Sequence, residues 1–216
     1  MKKENKFFMY SIVVTMIIIT LFTIMGVLKN EYWRYIIYEK SPMGYYEALL
    51  LFLCFVVSGM NFIKYSRENN KINISRGIIT MGFFYLFLDE KFGIHENIRE
   101  RILKPNGIKI DFLYWMEPGD YALLGILILG LITAMFLLKE LKKNKRGFIF
   151  FTIGVLFSIM AVLDDSLNLK GMNIEIQKMI QYAEEIIETC GMICFLNSVV
   201  TVMLQNKNSG AVRVDK

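Results

Sequence analysis

Uncharged runs occupy residues 7–28, 48–63, 77–88, 121–138, 147–163 and 189–206, with the charged residues gathered between them. A hydrocarbon core about 30 Å thick needs roughly 20 residues of helix at about 1.5 Å each. The first run is long enough by itself. The other five are shorter, so their helices must recruit charged residues at the ends to cross. The pattern predicts six helices, near 7–28, 44–64, 76–100, 118–139, 147–166 and 176–205. Together they make an all-α, six-helix transmembrane bundle, a single domain over residues 1–205. The N-terminus (MKKENK) resembles the charged start of a secretion signal. The apolar run behind it exceeds an h-region of about 7–15 residues, and no small-x-small cleavage site follows, so it reads as an uncleaved first helix. The polar segment 206–216 predicts a disordered tail.

Composition agrees with this assignment. Of 216 residues, 55% are hydrophobic and 21% charged, with a mean hydropathy of +0.42, where a soluble domain holds nearer half and a quarter. The net charge of +5 needs no nucleic acid, because topology absorbs it. Lys and Arg number 15 in the N-terminal tail, 64–76, 139–146 and the C-terminal tail, against 10 in the segments on the other side. The positive-inside rule then makes both termini cytoplasmic. Acids divide far less evenly: only Glu4, Glu68, Glu140 and Asp215 lie on the cytoplasmic side of that topology. Tyr and Trp share the outward bias, and NEYWRYIIYEK (30–40) reads as an interfacial helix at headgroup level. Cys54, Cys190 and Cys194 sit in apolar stretches with no CxxC or Cys/His spacing, so neither a disulfide framework nor a structural zinc site is suggested.

Several acids lie deeper than a surface role explains. Between Arg76 and Asp89 the uncharged stretch 77–88 spans only about 18 Å, which leaves Asp89 and Glu90 below the outer boundary. An ionisable group at that depth costs on the order of 3 kcal/mol and normally faces a cavity or a partner. These two also sit at the negative end of an outward-running helix, so a metal ion, a proton or Lys91, Arg99 and Arg101 must compensate. Asp164 and Asp165 end the fifth helix in the same way. Glu117 and Asp120, by contrast, begin an inward-running helix, where the positive dipole end favours anions. For Glu47 the structural and functional readings balance.

In the sixth helix, QYAEEIIETCGMICF places Gln181, Glu184, Glu185 and Glu188 within about 100° of one another. Three carboxylates on one narrow face beside an apolar run form one wall of a cation site. His95 is the single histidine. On a regular helix it points roughly 120° away from Asp89, and a break at Gly93 would bring it round as ligand or proton shuttle. Cys190 and Cys194 read as packing residues, and Gly59 and Gly191 as points of close helix contact, although no GxxxG occurs.

The runs Leu88-Asp89-Glu90 with His95-Glu96, and Glu184-Glu185 with Glu188 and Gly191, resemble an uncharacterised group of small bacterial polytopic membrane proteins carrying LDE…HE and EE-x-x-E-x-x-G helices. The resemblance covers roughly residues 44–204. It implies a bacterial plasma-membrane location and a shared outer-leaflet site at Asp89, Glu90, His95, Glu96, Glu184, Glu185 and Glu188, and it carries no activity. Alkaline ceramidase-like membrane hydrolases also set acids and histidines in helices around zinc. Their several histidines include an HxxxH pair, and a chain with one His cannot build a three-His zinc site.

The resulting expectation is a metal-dependent enzyme acting on a lipid or lipid-linked substrate. Asp89, Glu96, Glu184 and Glu188, with His95, are the candidate ligands, and Glu90 or Glu185 is the candidate general base. Carboxylates with at most one imidazole suit Mg, Ca, Mn or Fe better than Zn. Two rival classes stay open: a cation- or proton-coupled transporter or channel subunit, and a non-catalytic accessory or immunity-type membrane protein. Membrane lipid is the expected partner and nucleic acid is not; a protein partner or a second copy of the chain stays open.

Overall fold

The computed structural model describes residues 3–29, 32–38, 40–69, 74–107, 121–142, 144–166, 169 and 172–211. These residues are helical throughout, apart from short turns. The long helices are α1 (Lys3–Leu28), α3 (Pro42–Asn69), α4 (Ile74–Phe92), α6 (Tyr121–Leu141), α7 (Lys145–Asp165) and α8 (Ile174–Ala211), and two short ones are α2 (Tyr32–Ile36) and α5 (Ile94–Ile98). Four helices are long and apolar enough to cross a membrane, over Lys6–Leu28, Pro42–Lys64, Lys145–Asp165 and Ile174–Leu204, as expected of a membrane protein. Within α6 the apolar stretch of described residues is Leu124–Met135. Helix α2 falls inside the segment 30–40 expected to form an interfacial helix, and α8 runs on to Ala211, into the segment expected to be tail. Glu117 and Asp120 lie outside the described residues, as do Tyr114 and Trp115, two of the aromatics that share the outward bias.

Helix α8 is the backbone of the assembly. It packs most extensively on α7 and also meets α3 and α1, while α3 pairs with α4, and α6 bridges α4 and α7. The α7–α8 seam is close because both helices offer glycine to it. A Cβ on Gly154 would stand 2.8 Å from the Phe195 ring and 3.2 Å from the Gly191 carbonyl oxygen, and one on Gly191 would meet Phe157 Cβ at 3.3 Å. Close contact at Gly191 thus arises from small residues on two helices rather than from a GxxxG on one. At Gly59 the nearest atom, Thr80 Cγ2 at 3.6 Å, is in ordinary contact.

Leu50, Leu51, Cys54, Ile79, Phe83, Phe151, Phe195 and Leu196 belong to the central apolar cluster. The large apolar side chains of α1, among them Val13, Met16, Ile17 and Leu21, face outward, as lipid rather than water would require. Polar residues point inward instead. Asn61 Nδ2 donates to the Val199 carbonyl at 3.3 Å, Asn197 Nδ2 to Ser11 Oγ at 2.9 Å, and Ser198 Oγ to the Gly147 carbonyl at 2.9 Å. Such interhelical bonds tie together helices whose association gains nothing from burying Leu against a lipid tail.

The expected third helix does not run unbroken to residue 100. Gly93 adopts φ 57°, ψ 49°, a left-handed conformation that ends α4. Glycine reaches it without the Cβ clash that holds other residues out. Asn97 Nδ2 braces the break, donating to Phe92 O at 3.1 Å and to Gly93 O at 2.7 Å, the latter also accepting the Asn97 backbone N–H at 2.9 Å. The chain then restarts as α5 and widens into a π-helical turn over Arg99–Leu103.

Candidate functional site

The end of α4, the start of α3 and the first half of α8 meet at one end of the bundle. Each carries a carboxylate there because of its own periodicity. Glu47 is on the second turn of α3, Glu90 in the last turn of α4, and Glu188 follows Glu184 by one turn on the acidic face of α8. Oxygens of Glu47, Glu90 and Glu188 lie within 4.8 Å of one another. Glu47 is 1% exposed, which makes it the most secluded acid of the three.

A hydroxyl group holds Glu47 in place. Thr189 Oγ1 donates to Glu47 Oε1 and also lies 2.9 Å from the Glu185 carbonyl oxygen. The Glu185 carboxyl lies close enough to Glu47 to act on its charge.

Beside this trio stands an Asp–His pair created by the break at Gly93. The turn swings His95 back over the end of α4. Its backbone N–H donates to Asp89 Oδ1 at 2.8 Å, and its ring Nδ1 lies 2.9 Å from Asp89 Oδ2. Both oxygens of Asp89 are therefore engaged by His95, and Glu90 supplies the α4 oxygen of the trio. The ring's Nε2 remains for other chemistry, since Asp89 orients the imidazole through Nδ1. Asp89 and His95 are both close enough to Glu188 to act on its charge.

The remaining expected site residues form a rim. Glu184 feels the charges of Asp165, Glu188, Asp164 and Arg99, so the end of α7 closes on the same centre. Glu96 lies nearer the break, with Oε2 only 2.6 Å from where a Gly93 Cβ would be. Lys91 Nζ sits 3.9 Å over the Tyr45 ring, and Lys104 pairs with Glu100 at 2.5 Å.

Oxygens bound to a divalent ion at about 2.0–2.6 Å lie up to about 4–5 Å apart across it. The Glu47–Glu90–Glu188 spacing fits that limit. The donors are all hard oxygens, which suits Mg, Ca or Mn. Glu90, Glu185 and Glu188 were marked by helical phase and depth in the sequence, and the structure brings them together. Glu47 was left undecided there; its signal was the shortness of the apolar run between it and Lys64.

A family model described as a domain of unknown function, DUF8692, matches residues 45–203. The chain belongs to that family. All three trio carboxylates, the Asp89–His95 pair and the Gly93 break lie inside the DUF8692 region. Among curated proteins and among solved structures nothing matches the chain.

Proposed function

We propose that this DUF8692 protein is a six-span protein of the bacterial plasma membrane with both termini cytoplasmic, and that it holds a divalent cation on Glu47, Glu90 and Glu188 at the outer end of the bundle. Its activity in this reading is metal-assisted hydrolysis of a lipid or lipid-linked substrate. The observation that carries it is the convergence of three carboxylate oxygens, from three different helices, to within 4.8 Å. Glu185, whose carboxyl lies close enough to Glu47 to act on its charge, would serve as the general base. Asp89 fixes the His95 ring beside Glu188 as the second proton carrier.

Two observations favour this over the rival classes. A basic protein partner would need an open acidic surface, and Glu47 is almost wholly enclosed. A conduction path would need polar side chains available along the bundle. The buried Thr201, Asn197 and Ser198 of α8 instead bond to helix carbonyls.

The test is elemental analysis of protein purified in neutral detergent and re-equilibrated with Mn²⁺, paired with hydrolysis of total membrane lipid. Wild type should retain a stoichiometric ion and release a water-soluble product, and Glu47→Gln/Glu188→Gln should do neither. Wild-type protein that takes up no divalent ion refutes the reading.

A further inference from the structure

Helix α1 stands apart from the rest of the bundle. The packed pairs α3–α4, α4–α6, α6–α7, α7–α8 and α8–α3 close a ring without it, and α1 lies against the α3–α8 side of that ring. It is the least buried of the four helices long and apolar enough to cross a membrane, and it precedes the residues 45–203 matched by the family model. The seam it covers is the one where Glu47 of α3 meets Glu188 and Thr189 of α8.

Two hydroxyl pairs hold α1 over that seam. Thr15 Oγ1 lies 2.6 Å from Tyr46 Oη, and Thr23 Oγ1 lies 3.0 Å from Tyr182 Oη. The proton of each threonine is already committed inside α1, from Thr15 to the Ser11 carbonyl at 2.9 Å and from Thr23 to the Ile19 carbonyl at 2.8 Å. A hydroxyl has one proton to give, so Tyr46 and Tyr182 are the donors across the seam. The inner end of α1 is fixed differently: Asn197 Nδ2 donates to Ser11 Oγ at 2.9 Å, and the Phe8 ring packs 4.6 Å from that of Phe150. From Thr23 to Ser11 the axis of α1 advances about 18 Å, and from Tyr182 to Asn197 that of α8 advances about 22 Å. Glu188 and Thr189 therefore lie opposite the stretch of α1 between Thr15 and Thr23.

The chemistry of α1 suits a helix that leaves its seat. Ser11 and Thr20 also bond to carbonyls of their own helix, to Phe8 at 2.8 Å and Met16 at 2.7 Å. Thr20 does so while exposed on the outer face. All four Ser and Thr hydroxyls of α1 are thus satisfied whether or not the helix covers the seam, as a layer without water requires. We propose that α1 is a lateral gate: its outer half parts from the α3–α8 seam and opens the carboxylate centre to the acyl-chain layer. The Tyr46 and Tyr182 hydroxyls, released from Thr15 and Thr23, then donate to the polar group of an entering membrane lipid. Tyr46 adjoins Glu47 and Tyr182 stands two residues before Glu184, so the helices that carry the acids carry these donors too. That the lipid is hydrolysed there rests on the reading of the carboxylate centre above. The gate itself does not.

The experiment uses the full chain in lipid nanodiscs with chelator present. N,N′-dicyclohexylcarbodiimide reaches carboxyls through the membrane, a quaternary-ammonium carbodiimide reaches them from water, and peptide mass spectrometry reads labelling at Glu47, Glu185 and Glu188. Tyr46→Phe/Tyr182→Phe keeps both rings and removes only the donors. It should raise labelling by the membrane-soluble reagent about fivefold or more and leave labelling by the water-soluble one unchanged. Thr23→Cys/Tyr182→Cys, in a background lacking Cys54, Cys190 and Cys194 and bridged by a short bifunctional thiosulfonate, should label less than the unbridged protein, and reduction of the bridge should restore labelling. Equal membrane-reagent labelling in wild-type, Phe-variant and bridged protein overturns the proposal, as does a rise with both reagents alike, which marks a loosened fold. Adding Mn²⁺ separates the two readings. Protection by the ion with no response to the Phe variant or the bridge rejects the gate and keeps the metal centre; those responses without protection reject the metal centre and keep the gate.

Discussion

Three carboxylates with oxygens within 4.8 Å of one another cannot all be ionised and bare. At an effective dielectric of about 20, two unit charges at that distance repel by about 3.5 kcal/mol. Three such pairs amount to about 10 kcal/mol, as large as the whole folding stability of an ordinary domain. Either protons or a cation must therefore occupy the trio, and thermal unfolding in detergent distinguishes them. A divalent ion at 100 times its dissociation constant stabilises the folded state by about 2.7 kcal/mol, which for a chain of this size is a rise of roughly 5–10 °C in midpoint. A chelator should abolish that rise and excess Mn²⁺ should restore it. Glu47→Gln keeps an oxygen to accept from Thr189 Oγ1 and removes one charge. With the metal reading it should erase the Mn²⁺ response. Wild-type protein whose midpoint ignores both chelator and Mn²⁺ would refute the reasoning, and the trio would then be held by shared protons.

The break after α4 should respond to backbone chemistry: Gly93→Ala should cost about 1–2 kcal/mol in denaturant unfolding for its left-handed φ, and Gly93→Asn clearly less. Equal losses would show that the conformation is not the cause. At the α7–α8 seam, Gly154→Ala brings a methyl to 2.8 Å from Phe195, so a loss of about 1–3 kcal/mol is expected, and an unchanged midpoint would contradict the packing described. For topology, cysteines placed at Asn106 and Asn173, in a background lacking Cys54, Cys190 and Cys194, should react with an impermeant thiol reagent from outside intact cells, and one at Lys142 should not. The reverse pattern rejects the proposed orientation.

Hydrophobic runs and helical phase, both local properties, were enough to assign the helical class, the positions of the long helices and the acidic face of α8. A 3.6-residue period says which side chains share a face, and the length of an apolar run says how deep a charge must lie. Those two rules singled out Asp89, Glu90, Glu184, Glu185 and Glu188 before any fold was known. They could not determine that Glu47 joins Glu90 and Glu188, because helical phase does not encode which faces of α3, α4 and α8 meet. Nor could they turn His95 onto Asp89. Glycine is almost equally at ease on either side of φ = 0, so the identity of residue 93 permits a continuous helix and a reversal alike. The reversal is stabilised by bonds that form only once the chain has turned, from His95 to both oxygens of Asp89 and from Asn97 Nδ2 to the carbonyls of Phe92 and Gly93.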